Sequence, residues 1–255
     1  MAGGTLGTIT AILLAVATQV GSFAYYGAQQ HISARLEKMH PNQLQLVQYL
    51  LPDRRPVTDY FAVDGSPVHV FLVRDDFRTF NHVAPAEHGD GRFTIPVNLD
   101  PDHRYYAFVD SFVGGGVGEQ TLRFTLQSGA PPHHLDVTLQ RPNAVSQAGP
   151  YRVTLSSARF TADAPVTLSA HIMRDDHDVT PPPQQSFKVI ATVVNTSSLQ
   201  YTGYYEGNAG GLVYPGEYAH PQLRLPALPR GVYRMWVQLT IGNVRYTAPF
   251  TLAAE

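Results

Sequence analysis

The residues best suited to chemistry are the histidines, of which the chain has eleven, and no cysteine accompanies them. Any metal centre must therefore use imidazole nitrogens and carboxylate oxygens as ligands. The densest local group comprises His171, Asp175, Asp176, His177 and Asp178, at the expected end of a strand. These side chains could gather around an ion; the competing interpretation is a solvated, acidic turn.

A second group of possible ligands is His82 with Glu87, His88 and Asp90. His220 aligns loosely with His82 when the two halves of the chain are compared, which favours a shared turn structure over chemistry. A metal site needs three or four converging ligands, so no metal ion is assigned from the sequence. The candidate ligands are His82, His88, His171, Asp175 and His177.

Signatures of common enzyme active sites are missing from the sequence. There is no Gly-x-Ser-x-Gly nucleophile elbow, no His-Glu-x-x-His zinc motif and no Walker loop. The glycine-rich run from Gly114 to Gly118 lies between two predicted strands with no helix after it, which is typical of a hairpin tip. The sequence therefore predicts a protein that is not an enzyme and has neither catalytic residues nor a cofactor.

Charge and composition exclude several further classes. The formal net charge is -2 and the basic residues are scattered, which argues against nucleic acid as a partner. The absence of cysteine excludes disulfides, thiolate ligands and an ordinary blue-copper centre. Many glycines and prolines beside 14 tyrosines and 12 phenylalanines indicate short strands joined by tight turns.

A tyrosine- and glycine-rich segment is the candidate interaction surface. Tyrosine offers a large, rigid contact area with a polar tip, which suits an interface. The alternative is a long loop packed on its own domain. The tyrosines concerned are Tyr201, Tyr204, Tyr205, Tyr214 and Tyr218.

From Val57 onward, alternating patterns and β-branched or aromatic residues predict strands and no helix. An internal repeat relates Tyr105 to Tyr233 at an offset of 128 residues and Phe124 to Phe250 at an offset of 126. The simplest architecture is a mainly β chain with two immunoglobulin-like antiparallel β-sandwich lobes, at 57–140 and 141–255. The predicted strands are Val68–Val73, Phe93–Leu99, Tyr105–Phe112, Gln120–Gln127, Tyr151–Ser157, Val166–Met173, Phe187–Val194, Leu199–Tyr205, Gln222–Leu225, Val232–Ile241 and Arg245–Leu252.

The amino-terminal run Leu6–Tyr26 carries no charged residue and has the length of one transmembrane helix. A bilayer core of about 30 Å takes about 20 helical residues. A cleaved signal peptide is the alternative, although the first five residues lack Lys and Arg. We expect an anchor at 1–28 with the bulk of the chain on the periplasmic side of the inner membrane.

Residues 29–56 are expected to form a helical stalk and linker next to the membrane. Ile32–Met39 could continue the helix as far as Pro41, and Asn42–Leu51 could form a second, short helix. In that second helix Leu44, Val47, Leu50 and Leu51 would fall close to one face.

Several stretches of the sequence resemble exported bacterial two-lobed β-proteins. They are Val68–Asp76 with its Arg-Asp end, Phe80–Pro85, Gly91–Phe93, and the closing Gly231–Arg234 with Ala248–Phe250. The resemblance covers roughly residues 60 to 253. Those proteins carry a Phe-x-His-Val-His-Pro motif, whose paired histidines imply metal handling in a family largely without an assigned activity. Ala84 stands at the position of the second histidine.

The sequence thus leads to two functional hypotheses. The first is a non-enzymatic, single-span accessory or scaffolding subunit that docks on a larger integral membrane complex, a respiratory or photosynthetic complex being a conceivable host. The second is a periplasmic protein that binds or delivers a metal, with copper as first choice.

Overall fold

A computed structural model describes residues 31–40, 42–127, 141–179, 187–206 and 220–255. The predicted membrane-spanning run Leu6–Tyr26 and the tyrosines Tyr214 and Tyr218 lie outside these ranges. Within the ranges, no helix has the length and hydropathy needed to cross a bilayer. The described residues fall into two compact units, 31–127 and 141–255. The boundary predicted at residue 140 falls outside the described ranges and remains a prediction.

In its described residues, the first unit is a sandwich of two antiparallel sheets. One sheet has the order β1-β2-β7-β6, with β3 beside β2, and the other has the order β5-β4-β8-β9. The strands are β1 (Ile32–His40), β2 (Gln43–Leu50), β3 (Arg55–Pro56), β4 (Val68–Arg74), β5 (Phe80–Val83), β6 (Ala86–Glu87), β7 (Arg92–Pro96), β8 (Arg104–Val113) and β9 (Gly118–Gln127).

The second unit is also a two-sheet sandwich in its described residues. One sheet has the order β10-β11-β13-β14, with β17 beside β13, and the other has the order β12-β19-β18-β15-β16. The strands are β10 (Val145–Ala148), β11 (Tyr151–Leu155), β12 (Arg159–Phe160), β13 (Val166–Arg174), β14 (His177–Asp178), β15 (Phe187–Asn195), β16 (Tyr201–Glu206), β17 (Gln222–Leu225), β18 (Gly231–Ile241) and β19 (Val244–Ala254).

The helical stalk predicted over Ile32–Met39 and Asn42–Leu51 is wrong, because these residues form the antiparallel pair β1–β2. Side chains of a strand alternate between its two faces, and Leu44 and Leu46 are both buried in the first core. Leu51, which a helix would place on the face of Leu44, is 39% exposed. The antiparallel pairing of β2 with both β1 and β7 therefore defines the conformation, and the first sandwich begins well before Val57.

Strand order identifies both units as immunoglobulin-like. In the first unit the two sheets correspond to strands A-B-E-D and C′-C-F-G of that fold, with β8 as strand F. In the second unit β11, β13 and β17 correspond to A, B and E, and β16, β15, β18 and β19 to C′, C, F and G. The short strand β12 runs parallel to β19 along the edge of that sheet.

The internal repeat coincides with equivalent strands in equivalent register. Tyr105 of β8 pairs with Leu126 of β9, and Tyr233 of β18 pairs with Leu252 of β19. Both hairpins join strands F and G of their sandwiches. The similarity seen in the sequence therefore reflects the same pair of strands in each unit.

The two-residue change in offset lies in the turn of this hairpin. In the first unit the last paired residues are Val113 and Gly118, which leaves four residues in the turn. In the second unit they are Ile241 and Val244, which leaves two. The glycine-rich run of the first unit is thus a hairpin tip, as its sequence context indicated.

Both F strands begin with a buried tyrosine whose hydroxyl is bonded to the preceding backbone. The Asp100 amide donates to the Tyr105 hydroxyl at 3.1 Å, and the Tyr233 hydroxyl donates to the Pro229 carbonyl at 2.6 Å. Burial raises the pKa of Tyr233, so its phenol stays protonated as a donor. These contacts have the geometry of the tyrosine corner of immunoglobulin-like domains.

Candidate metal centre

Three segments of the second sandwich meet at His171. One edge of β13 pairs with β11, and the other edge is shared by β14 and β17. The register Ser169 to Gln222 between β13 and β17, continued by two residues, places His220 opposite His171. Met173 pairs with Asp178 of β14 on the same edge. The junction of two partner strands along one edge therefore collects side chains that are distant in sequence.

His171 faces outward because β13 alternates between core and solvent. Leu168, Ala170 and Ile172 are buried in the second core, whereas His171 is partly exposed. Residues of a strand that lie two apart share a face, so His171 projects from the outer face of the sheet.

The ligand atoms of His171, Asp178 and His220 lie within 4.8 Å of one another. Nε2 of His171 is 2.6 Å from Oδ1 of Asp178, and Nε2 of His220 is 3.8 Å from Oδ2 of the same carboxylate. The two imidazole rings stack with centroids 4.5 Å apart and planes 20° apart. Two nitrogens and one carboxylate oxygen thus converge from three segments of chain.

The electrostatics of the cluster favour an ionised carboxylate. The hydrogen bond from His171 lowers the pKa of Asp178, and the nearby imidazoles of His171 and His220 act in the same direction. All three side chains are substantially exposed, at 37% for His171, 53% for Asp178 and 50% for His220. A cation from solution can therefore reach the site directly.

Two imidazoles and one carboxylate form a ligand set suited to a divalent transition metal. Zinc sites with three protein ligands keep a fourth position for water or another ligand, and imidazole also binds copper and nickel. A metal must lie in the plane of each ring that binds it, so the stacked rings of His171 and His220 have to turn toward each other. Their exposure leaves room for that rotation.

The remaining residues of the predicted group, Asp175, Asp176 and His177, lie in or beside a turn. Asp175 and Asp176 both have positive φ angles and form the two-residue turn between β13 and β14. His177 pairs with Arg174 beside that turn. Asp175 and His177, which were predicted from the sequence as candidate ligands, are therefore not in the cluster. The third member of the cluster is His220.

The predicted group around His82 is not assembled. His82 contacts His69, with Nδ1 of His69 and Nε2 of His82 2.8 Å apart, whereas His88 contacts the Thr94 hydroxyl at 2.7 Å. Among the described residues, only His171, Asp178 and His220 form a group of three or more convergent ligands. His69 lies within an apolar run that gave no signal of a role.

The Arg-Asp end of β4 forms a network of ion pairs. Arg74 makes a two-point contact with Asp76, at 2.9 and 2.7 Å, and lies 3.6 Å from Asp100. Asp75 is 2.8 Å from the ring of His103. These bonds hold the end of β4 against the chain that leads into β8, so a structural role accounts for this part of the motif.

Of the candidate interface tyrosines, Tyr201 is 3% exposed. Tyr205 is partly buried against the second core, and its hydroxyl donates to the Thr202 carbonyl. Tyr205 therefore packs within its own unit. Tyr204 is placed on β16 through its backbone pairing with Thr192.

Comparisons with known proteins yield a general likeness only. No protein-family model matches the chain, and no curated protein matches it. Among solved structures, a two-domain fibronectin type III segment of chicken tenascin is 12% identical over 87% of this chain and 98% of its own, with a TM-score of 0.25. A chimeric titin Z1Z2 tandem is 14% identical over 88% and 99%, with a TM-score of 0.22.

A mutant alpha-2-macroglobulin from Salmonella is 13% identical over 88% of this chain and 16% of its own, with a TM-score of 0.28. Scores of this size carry no argument about fold or activity. The strand order within each unit defines the class, which is a mainly β protein with two immunoglobulin-like sandwiches.

Proposed function

We propose that this is a metal-binding protein whose second sandwich holds a divalent transition-metal ion between His171, Asp178 and His220. The observation that carries this assignment is the convergence of their ligand atoms within 4.8 Å, from three separate segments of chain. Their exposure suits an ion that is acquired from solution and passed on. Binding, and not a chemical transformation, is the proposed activity.

Zinc titration of the untagged full-length chain tests the assignment. We expect one equivalent of Zn²⁺ to bind by isothermal titration calorimetry and that equivalent to be lost in His171→Ala and in His220→Ala. His177→Ala is the matched control, because His177 neighbours Asp178 in sequence but lies outside the cluster. Zinc binding that persists undiminished in His220→Ala would contradict the proposal.

A second candidate function is that of an accessory subunit anchored in the inner membrane. It is supported by the uncharged, bilayer-length run Leu6–Tyr26, followed by two immunoglobulin-like sandwiches. On this hypothesis the sandwiches lie on the periplasmic side and dock on an integral membrane complex, with Tyr204, Tyr214 and Tyr218 among the candidate contacts. Purification from native membranes in mild detergent should then recover stoichiometric partner subunits, and recovery of the chain alone would count against it.

A further inference from the structure

The first sandwich contains a buried pair of imidazoles that the proposed divalent site does not use. His69 lies on β4 and is 2% exposed, and His82 lies on the neighbouring edge strand β5 and is partly exposed. Nδ1 of His69 faces Nε2 of His82 at 2.8 Å.

The backbone fixes the tautomer of His69. Nε2 of His69 lies 2.8 Å from the carbonyl oxygen of Val63, which can only accept a hydrogen bond, so Nε2 carries the proton. The lone pair of the neutral ring is then on Nδ1 and points at His82. A ring nitrogen held by a backbone carbonyl while the other faces the ion is the usual arrangement of a metal-bound histidine.

Aromatic rings surround the pair. Phe71 lies 4.5 Å from His82 between centroids, and Phe112 meets the His69 ring edge-on at 6.0 Å. Phe80 stacks on Phe71 at 6.3 Å. This apolar environment disfavours a doubly charged ion, because the cost of burying a charge rises steeply with its magnitude.

From this geometry we propose that His69 and His82 form a two-coordinate site for monovalent copper, Cu(I). The ion replaces the hydrogen bond between the rings, with Nδ1 of His69 and Nε2 of His82 as its ligands. The Nε2 proton of His82 is lost to solvent while Nδ1 of the same ring takes one up, so both rings bind as neutral imidazoles with no net release of a proton. Imidazole is a suitable copper ligand, whereas zinc favours four ligands.

A buried carboxyl group lies beside the pair, and in its ionised form it would offset the single positive charge. Asp110 is 0% exposed and lies directly opposite His69 in the pairing of β4 with β8. Cross-strand partners project from the same face of a sheet, so the carboxyl group shares the buried face of the imidazole pair. The Thr121 hydroxyl donates to it at 2.7 Å.

Binding requires a small opening of the pair. With metal–nitrogen bonds of about 2.0–2.1 Å, two ligand nitrogens lie roughly 3.3 Å apart at a tetrahedral angle and about 4 Å apart in a linear site. The present separation is 2.8 Å. Among the described strands β5 lies at the edge of its sheet, and His82 is partly exposed, so outward movement of His82 supplies both the space and the access route.

Competition for Cu(I) under anaerobic, reducing conditions tests the proposal. The full-length His171→Ala variant, which lacks the proposed divalent site, is titrated against the copper(I)–bicinchoninate complex. We expect it to withdraw one equivalent of Cu(I), to lose that equivalent when His82→Ala is added, and to keep it when His88→Ala is added instead. Equal Cu(I) binding with and without His82→Ala, or no binding by the parent variant, would overturn the proposal.

A second variant and a spectroscopic measurement distinguish the loss of a ligand from misfolding of the variant. His82→Phe keeps a ring against Phe71 while removing the ligand, so it should fold and fail to bind. Copper-edge X-ray absorption of the loaded His171→Ala chain should show two nitrogen neighbours, and a higher coordination number would contradict the two-coordinate assignment. Since zinc binding by the wild-type chain is scored separately, failure of either metal site leaves the other assignment intact.

Discussion

The two sandwiches have corresponding strand orders but place their histidines in different sheets. In the first unit His69 and His82 lie on the C–C′ pair, where the imidazole pair is set among aromatic rings. In the second unit His171 and His220 lie on strand B and just before strand E, in the other sheet and at the surface. A shared frame thus carries two different groups of histidines, one largely buried beside aromatic rings and the other exposed at the surface.

A second similarity between the two halves of the sequence does not join equivalent strands. Pro67-Val68 to Arg74-Asp75-Asp76 resembles Pro165-Val166 to Arg174-Asp175-Asp176. Yet β4 pairs with the F strand of its unit, whereas β13 pairs with strands A and E of its own. The two segments are therefore strands C and B, and their similarity is not one of position in the fold.

The largest effect that sharpens the comparison is expected in the two B strands. Leu46 of β2 and Leu168 of β13 are both buried, so Leu46→Ala and Leu168→Ala should each cost about 2–5 kcal/mol of unfolding free energy. Leu51→Ala is the control, expected within about 0.5 kcal/mol because Leu51 is exposed. Denaturant unfolding followed by circular dichroism provides the measurement. A larger loss of unfolding free energy in Leu51→Ala than in Leu46→Ala would contradict the strand assignment and favour the predicted helix.

The second-largest difference in stability is expected between the Arg-Asp ion pairs of the two units. Arg74 and Asp76 are mostly buried and joined by two bonds, whereas Arg174 and Asp175 are exposed at a distance of 3.6 Å. Asp76→Asn should therefore cost about 1.5–3 kcal/mol and Asp175→Asn close to nothing. Urea unfolding at neutral pH compares the two variants, and equal losses would remove the distinction.

The pH dependence of stability gives a second test of Asp76. Burial alone would raise the pKa of Asp76, but hydrogen bonds from Arg74 and from the Arg78 amide outweigh it and lower the pKa below 3.8. The stabilisation is therefore complete above about pH 4 and is lost as the pH falls through the folded-state pKa. The stability gap between wild type and Asp76→Asn should narrow on acidification from pH 7 to pH 3, and a widening gap would contradict the assignment.

The smallest predicted effects concern the tyrosine corners. Tyr105→Phe and Tyr233→Phe should each cost about 0.5–1.5 kcal/mol, because each removes one hydrogen bond while keeping the buried ring. Similar losses in the two variants would support the equivalence of the F strands. A negligible loss in one of them would show that the two corners are not energetically equivalent.

Much of the fold could be predicted from the sequence because alternation in Tyr105–Phe112 and Val232–Ile241 has one interpretation. The segment Gln43–Leu50 was misassigned because its leucines fit both a two-residue and a helical period. The strand conformation of this segment depends on its pairing with β7, and that pairing cannot be predicted from a local sequence pattern.

The candidate site was only half predictable. His171 and Asp178 are close in sequence, but His220 reaches them through the register of β13 with β17, which depends on strand order. Asp175 and His177 were misleading because turn residues and ligand residues are of the same types. His220 precedes β17, and it can be recognised as a possible ligand only once the pairing of β17 with β13 is known.

Zinc titration followed by nitrogen-15 resonances of the histidine rings tests the central claim most directly. On addition of one equivalent of Zn²⁺ to the full-length chain, the Nε2 resonances of His171 and His220 should shift as coordinated nitrogens, while those of His177 and His82 stay in place. Unchanged His171 and His220 resonances, or a coordination shift at His177 in their stead, would contradict the assignment of the metal centre.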